Sequence, residues 1–278
     1  MLKTRGLYFS YRPEGGTPFA LAGIDLEIYR GQHTAIIGPS GSGKTTLLKH
    51  FNGLLGPTRG EVLVSGRTTS CTSQLPSIRR ICAMIFQNPD NQLVATTVEE
   101  EIAFGLENYR VDPKKIREQV DWAMGKLNIS HLAAYPPHLL SGGQKRKVAV
   151  ASAIAMQPQC LLADEPSSML DPDSRRELQE LLRSLQRELG LTLLQVTHYL
   201  EEAALADRVL LLDRGRVTAD GPPEKVLTDL GRLHAAGLTS STAAELAALL
   251  REEGLALPAG IVQNQELVDS LCLLKPSG

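Results

Sequence analysis

Three features of this 278-residue chain predict an α/β fold with one large domain and a small appendage. Apolar runs at His33–Ile37, 160–165 and 193–198 have the length and composition of buried strands. Segments with apolar residues at helical spacing lie between and after these runs. Hydrophobic residues make up 42% of the chain and charged residues 22%, so the chain can bury an ample globular core.

The first of these strands leads into a glycine-rich loop with the spacing G-x-x-x-x-G-K-[ST], and a helix is predicted to begin near Gly43. The loop residues are Gly38, Pro39, Ser40, Gly41, Ser42, Gly43, Lys44, Thr45 and Thr46. Glycines allow backbone N–H groups to converge on a polyphosphate, and the helix N-terminus adds its positive end. Lys44 supplies a charge for the β- and γ-phosphates, and Thr45 supplies a hydroxyl for Mg²⁺. The loop therefore predicts a nucleotide-binding site, and a chance Gly/Ser turn is the alternative.

Charge, cysteine content and hydropathy exclude several other classes of protein. The formal net charge of −2 gives no electrostatic case for nucleic-acid binding. The four cysteines are scattered without CxxC spacing, which predicts reduced thiols in a cytosolic protein. No apolar run reaches membrane-spanning length and the N-terminus lacks an apolar signal region, so we expect any membrane role to be peripheral.

The N-terminal residues 2–31 predict a small antiparallel β unit. Its strands are expected over 7–11 and Leu21–Ile28, joined by a turn at Gly15-Gly16. Tyr11, at the end of the first strand, presents a flat ring that suits stacking on a base, although packing at a sheet edge also explains it. Farther along, a strand is expected over 60–66 and residues 67–79 are expected to be irregular.

Gln87 ends a strand predicted over 80–86 and precedes the turn-forming sequence Asn-Pro-Asp-Asn. A carboxamide at such a strand end suits a sensor of metal or water, and an ordinary turn residue is the alternative. Thr97 and Glu100 predict a capping box, and a second helix is expected after Asp112. The acids at 99–101 predict a solvated first helical turn rather than a metal site.

A second helix start that suits an anion follows at residues 140–144. It comprises Leu140, Ser141, Gly142, Gly143 and Gln144, before a long helix of small residues. An ordinary helix N-cap explains the same residues. The chain thus has two helix N-termini that suit a phosphate, and the ligand of the second one is still to be assigned.

Acidic and imidazole side chains end two of the buried strands. Asp164 and Glu165 close one strand, where the first carboxylate suits the Mg²⁺ shell and the second suits a general base. A capped turn is the alternative for this pair. His198 ends another strand, at the edge where open α/β sheets bind ligands. The loop 167–172 follows the acids and contains Asp171, and a leucine-faced helix comes next.

The composition changes after residue 220. Thr242 and Glu245 predict a capping box for a helix over 243–253, and a last helix is expected after Asn264. This tail is too small to bury a core alone, so we expect it to dock on the main domain or on a second copy.

Taken in order, these motifs resemble the ATP-binding cassette of ABC proteins, and the LSGGQ sequence at 140–144 is specific to that class. The resemblance covers about residues 2–220. It implies a P-loop α/β domain over 1–220 with an antiparallel β subdomain and a helical subdomain at about 88–156. Residues 221–278 are then a C-terminal helical extension, for which dimerisation is one of the two expected roles. It also implies a head-to-tail ATPase dimer in which ATP lies between the phosphate loop of one subunit and residues 141–144 of the other.

The resemblance also implies a role for each motif. Tyr11 would stack on adenine, residues 38–46 would hold the phosphates, and Thr45, Gln87 and Asp164 would organise Mg²⁺. Glu165 would activate water, and His198 would contact the γ-phosphate. The partner's site would be completed by Ser141, Gly142, Gly143 and Gln144, and Asp171 would bridge the two sites.

Within that family the sequences at 86–92, 103–108 and 141–146 are similar to the ATPase subunits of energy-coupling-factor (ECF) importers of vitamins or of cobalt and nickel. This implies a second ATPase subunit, a transmembrane coupling subunit and a substrate-binding membrane subunit, with the chain at the cytoplasmic face of the cell membrane. Met169 matches one of two paralogues and suggests a heterodimer. A soluble ABC ATPase of DNA repair or translation, and a scaffold without catalysis, are the alternatives.

Overall fold

The computed structural model describes residues 1–12 and 19–274. Its strands are β1 Leu2–Phe9, β2 Leu21–Ile28, β3 His33–Ile37, β4 Arg59–Val64, β5 Arg67–Thr68, β6 Cys82–Ile85, β7 Cys160–Asp164, β8 Thr192–Val196, β9 Arg208–Asp213 and β10 Arg216–Gly221. Its helices are α1 Lys44–Phe51, α2 Leu75–Ile81, α3 Val98–Asn108, α4 Pro113–Lys126, α5 Gly142–Ala155, α6 Pro172–Leu189, α7 Leu200–Ala203, α8 Pro223–Val226, α9 Leu230–Ala235, α10 Thr242–Glu252 and α11 Asn264–Leu273.

Two sheets organise these elements. The smaller sheet has the order β2-β1-β4-β5, and β1 is antiparallel to both of its neighbours. The larger sheet has the order β10-β9-β3-β8-β7-β6, in which all strands but β10 run parallel. The carboxyl ends of parallel strands meet at one edge, which is where open α/β sheets place their ligands. The segments that follow β3, β6, β7 and β8 therefore converge at that edge.

Hydrophobic clusters hold the layers together. One cluster joins both sheets to α1, with Phe51, Leu47 and Ile36 at its centre. A second cluster packs α3, α4, α5 and α6 against the other face of the large sheet. The residues after β10 contribute to a third cluster on β3 and β9 through Leu233 and Val262, and α10 and α11 form a small cluster of their own. Leu233 and Val262 of the tail thus pack on the main domain, and dimerisation through the tail stays a prediction.

The structure corrects several local predictions. Residues 75–81, expected to be partly irregular and partly strand, form α2, because Pro76 suits a first helical turn and Ile78 is buried. The cap of α10 is Ser241, whose Oγ accepts from the Ala244 N–H at 3.2 Å, so the predicted Thr242 capping box is wrong by one residue. The expected Gly15-Gly16 turn lies outside the described residues.

Of the two predictions for the first turn of α3, one is confirmed and one is wrong. Its capping box is confirmed, since Thr97 and Glu100 each accept from the other's backbone N–H at 3.2 Å. Glu101, however, is buried rather than solvated, and its carboxylate accepts from the N–H groups of Val94 and Ala95 at 2.7 and 2.9 Å. Among residues 1–12 and 19–274, no helix is long and apolar enough to cross a bilayer.

Candidate active site

The glycine-rich loop at 38–46 connects the buried centre of the large sheet to α1. Gly43 precedes the helix with φ 107°, and no side chain of the described residues caps the first turn. A Cβ at Gly43 would lie 2.6 Å from the Ala20 carbonyl oxygen, so the loop admits only glycine there. Ser40 and Gly41 form an exposed tip, whereas Ser42 and Lys44 are buried. The unsatisfied N–H groups of the first helical turn are therefore available to an anion.

Lys44 is held inside this loop. Its Nζ donates to the carbonyl oxygens of Gly38 at 2.8 Å and Pro39 at 3.0 Å. Burial lowers the pKa of Lys44, while the charges of Glu165 and Asp164 raise it. The ammonium group thus lies at the loop with its hydrogen bonds directed to carbonyls that a phosphate oxygen can replace.

Next to Lys44, Thr45 reaches the end of β7. The Thr45 Oγ1 donates to Asp164 Oδ1 at 2.9 Å. Burial raises the pKa of the Asp164 carboxyl, and the hydrogen bond from Thr45 lowers it. A hydroxyl and a carboxylate side by side are hard oxygen donors, which Mg²⁺ prefers, so these two residues fit that ion.

Glu165 lies between the two other predicted catalytic residues. Its Oε2 accepts from Gln87 Nε2 at 2.7 Å and lies 3.5 Å from His198 Nδ1. Its backbone has φ 46°, and its N–H donates to the Val196 carbonyl of β8 at 3.0 Å. The structure therefore brings together Gln87, Glu165 and His198, which come from three strand ends.

The second helix start has a different structure from the first. Ser141 Oγ accepts from the Gln144 N–H at 3.3 Å, and Gln144 Oε1 accepts from the Ser141 N–H at 2.9 Å, forming a capping box. Gly142 lies beside Leu170, which precedes α6, and Gly143 lies beside Ser174 in the first turn of α6. Asp171 caps α6 by accepting from the N–H groups of Asp173 and Ser174 at 3.1 and 3.0 Å. The ordinary N-cap interpretation of residues 141–144 is thus part of the structure, and their role toward a partner stays a prediction.

Tyr11 lies on the other side of the phosphate loop. Its hydroxyl is 3.0 Å from Thr46 Oγ1, and its ring meets Phe9 edge to face at 4.8 Å. The residue remains 61% exposed. Its ring is thus accessible next to the loop, and stacking on a base stays a prediction.

Two buried charged residues near the site were missed by sequence reasoning. Arg146 of α5 is 2% exposed and donates to the carbonyl oxygens of Phe86, at 2.8 Å, and Gln87. Glu202 of α7 is 4% exposed and accepts hydrogen bonds from Ser167 and Thr197, which lie close to Glu165 and His198 in the sequence. In the sequence each stands next to another charged residue, which indicates a solvated helix face, so no local signal distinguishes them.

A phosphate loop, a strand-end Asp-Glu pair and an LSGGQ helix start thus occur in one α/β fold. Residues 21–168 match the model of the family described as ABC transporter. The chain belongs to that family. This ABC protein is accordingly an ATPase, and its P-loop α/β fold is confirmed.

Curated relatives and solved structures place the ABC protein more finely. It is 42% identical over 273 residues to the energy-coupling factor transporter ATP-binding protein EcfA1 of Caldanaerobacter subterraneus subsp. tengcongensis, covering 98% of this chain and 99% of that one. The EcfA1 of Symbiobacterium thermophilum is 45% identical, with 97% and 96% covered.

Among solved structures, cbiO1 of Clostridium perfringens, part of the ABC transporter complex cbiONQ, superposes with a TM-score of 0.76 at 34% identity, covering 90% of this chain and 98% of that one. The dimeric cassette MJ0796 bound to ADP and Pi gives 0.73 at 30% identity, with 80% and 99% covered.

Proposed function

We propose that this chain is the ATP-binding and ATP-hydrolysing subunit of an ECF-type ABC importer. One observation carries the proposal: Glu165 is held between Gln87 and His198, beside the contact of Thr45 with Asp164. Identities of 42% and 45% to EcfA1 proteins over nearly the whole chain support a function in transport. No observation favours the alternative of a soluble ATPase in DNA repair or translation.

The phosphate loop binds the nucleotide in this proposal. Residues 38–46 direct their N–H groups to the phosphates, and Lys44 exchanges its two carbonyl partners for β- and γ-phosphate oxygens. Thr45, Asp164 and Gln87 would hold Mg²⁺, which neutralises charge on those phosphates when bound. Tyr11 stacks on adenine, since its exposed ring lies beside Thr46.

Glu165 is the general base. Its Oε2 already accepts a hydrogen bond from Gln87, so a water molecule that takes the position of the Gln87 amide would donate to the same oxygen. His198 lies 3.5 Å from that oxygen on the next strand, close enough to contact the γ-phosphate of a nucleotide attacked there. Gln87 and His198 thus hold the base in place before that exchange, and His198 then orients the group on which the base acts.

The site is completed by a second ATPase subunit in a head-to-tail dimer. Ser141, Gly142, Gly143 and Gln144 contact the γ-phosphate bound by the partner, and Asp171 bridges the two sites. The dimeric MJ0796 structure supports this arrangement for a cassette of the same fold. Met169, which lies between these segments, is 90% exposed with φ 65°, and we propose that a paralogous subunit covers it.

The dimer acts at the cytoplasmic face of the membrane. It couples ATP hydrolysis to a transmembrane coupling subunit and a substrate-binding membrane subunit, for uptake of a vitamin or of cobalt or nickel ions. The likeness to cbiO1, part of the complex cbiONQ, supports such an assembly.

Replacing Glu165 tests the catalytic proposal. Glu165→Gln keeps the volume and the hydrogen bond to Gln87 but removes the basic oxygen, so we expect turnover to fall about 10²–10⁴-fold. ATP binding should persist, and the closed dimer should accumulate on size-exclusion chromatography. Glu188→Gln, at an exposed ion pair with Lys126, is the control. Near-normal hydrolysis by Glu165→Gln would remove this residue from its role.

A further inference from the structure

We propose that Glu202 is a positioning residue, whose buried carboxylate sets the placement of Glu165 relative to His198. The inference rests on the proposed function for its effect on ATP hydrolysis. Its structural part, the placement of His198, stands on the contacts of the chain itself.

The carboxylate of Glu202 accepts from three side chains. Its Oε1 accepts from Ser167 Oγ at 2.5 Å. Its Oε2 accepts from Thr197 Oγ1 at 2.6 Å and from Gln195 Nε2 at 3.1 Å. Both oxygens are therefore occupied by donors from other segments of the chain, and α7 itself supplies none of them.

These donors lie next to the catalytic residues in the sequence. Ser167 follows Glu165 by two residues in the loop after β7, and Thr197 immediately precedes His198 at the end of β8. One carboxylate thus spans the two strand ends whose side chains meet 3.5 Å apart. Changing the distance between Ser167 and Thr197 would change that separation.

The orientation of the Thr197 hydroxyl extends this control past His198. Because the hydroxyl donates to Glu202, its oxygen can accept from the Tyr199 N–H, which lies at 3.0 Å. The residues on both sides of His198 are thereby fixed by one chain of hydrogen bonds. The Tyr199 ring is held in turn by the Arg175 guanidinium, 3.6 Å from the ring centroid.

Burial of the Glu202 carboxylate costs free energy, which distinguishes Glu202 from a residue that only fills space in the core. Burial raises the pKa of the Glu202 carboxyl, against the hydrogen bonds from Ser167 and Thr197, which lower it. Glu101, the comparable buried carboxylate, accepts from the backbone N–H groups of Val94 and Ala95 and holds a loop. Glu202 accepts from side chains beneath the catalytic residues, so its hydrogen bonds order the site.

The test uses Glu202→Gln in the full-length chain and in its purified membrane assembly, with Glu201→Gln, an exposed neighbour on α7, as control. Turnover is measured per bound nucleotide together with KM for ATP. The His198 imidazole resonance is followed by NMR in the nucleotide-free chain and assigned with His198→Gln. We expect a ~10–100-fold lower kcat, the size of a misplacement effect, with KM within about twofold. The His198 resonance should shift, and Glu201→Gln should match the wild type.

A stably folded Glu202→Gln with wild-type kcat and an unmoved His198 resonance would overturn the inference. So would a loss of kcat that only follows a loss of bound nucleotide and of melting temperature, because that result describes a structural role. If Glu202→Gln does not fold, Thr197→Val and Ser167→Ala remove single donors and must reproduce the shift and the kcat loss to a smaller degree. If the wild-type assembly has no Glu165-dependent turnover, the proposed function fails, and the His198 resonance still decides the placement.

Discussion

The two helix N-termini that suit a phosphate, those of α1 and α5, differ in how their first turn is satisfied. The start of α1 at Gly43 has no side-chain cap, and Lys44 adds a charge beside its N–H groups. The start of α5 has a complete capping box between Ser141 and Gln144, and residues 141–144 carry no charge. Both sequences are rich in glycine, and their local electrostatics are nevertheless unlike.

Because of this difference, we expect the two helix starts to have different roles in binding a nucleotide. At α1, no side chain within residues 1–12 and 19–274 caps the N–H groups that no helical bond can satisfy, so they are available to a ligand. At α5, Ser141 already occupies the Gln144 N–H, so Gly142 and Gly143 have the N–H groups left for a ligand. We therefore expect an anion to bind α1 without help, and α5 to provide a few donors to an anion that is already held. This expectation agrees with the proposed dimer, in which one subunit binds the nucleotide first and the other completes the site.

The largest expected effect comes from matched glycine substitutions in the two starts. Gly43→Ala places a Cβ at φ 107° and 2.6 Å from the Ala20 carbonyl oxygen, which displaces the loop. We expect ATP binding by the isolated chain to weaken about 100-fold, or about 2.7 kcal/mol, in isothermal titration calorimetry. In Gly143→Ala the Cβ meets Ser174 Oγ at 3.5 Å, an ordinary contact. Its binding by the isolated chain should stay within about twofold of wild type, with turnover of the dimer reduced.

Equal loss of binding in the two alanine variants would break the comparison, because it would mean that α5 takes part in the first binding event. A melting curve for each variant shows whether the fold persists, so that a global loss of structure is recognised as such.

The dependence of stability on pH is a second way to distinguish the region of α1 from that of α5. The strand before α1, β3, begins with a buried histidine. Burial lowers the pKa of His33 from 6.5 to about 4, although the Asp207 charge raises it. The unfolded chain binds this proton below pH 6.5 and the folded chain only near pH 4, so stability falls through that window as pH decreases. We expect a loss of about 2 kcal/mol between pH 7.5 and pH 5, measured by urea unfolding.

His33→Gln should remove this slope, while a variant at the start of α5 such as Gly143→Ala should keep it. If His33→Gln unfolds in urea with the same dependence on pH as the wild type, the acid sensitivity lies elsewhere in the chain.

Much of the site could be predicted because its residues lie in short continuous sequence motifs. The phosphate loop, Gln87, Asp164, Glu165 and His198 each end a buried strand, and parallel strands bring their ends together without further information. The capping box predicted at Thr97 is confirmed for the same reason, since two residues three positions apart decide it. Ser241 was missed because four hydroxyl residues follow one another at 239–242, and a one-residue shift changes which of them caps the helix.

The rest depends on tertiary contacts that no local pattern encodes. Glu202 follows Glu201, and Arg146 lies between Lys145 and Lys147, so each appears in the sequence as part of a solvated face. Burial of Glu202 and Arg146 follows from how α5 and α7 pack on the strand ends. Glu101 was assigned to a solvated turn for this same reason, and its partners at 94–95 become visible only once the loop is placed.

The smallest expected effect concerns the charge at the start of α5. Asp and Asn cap helices about as well as Ser, so Ser141→Asp and Ser141→Asn should both melt close to the wild type. Asp adds a negative charge where the partner's γ-phosphate would lie, and Asn adds none. We therefore expect turnover of the assembled dimer to fall about tenfold further in Ser141→Asp than in Ser141→Asn, or about 1.4 kcal/mol. Nucleotide binding by the isolated chain should be the same in both. Equal turnover in the two variants would mean that no anion approaches this helix, and the second helix start would then be a cap and nothing more.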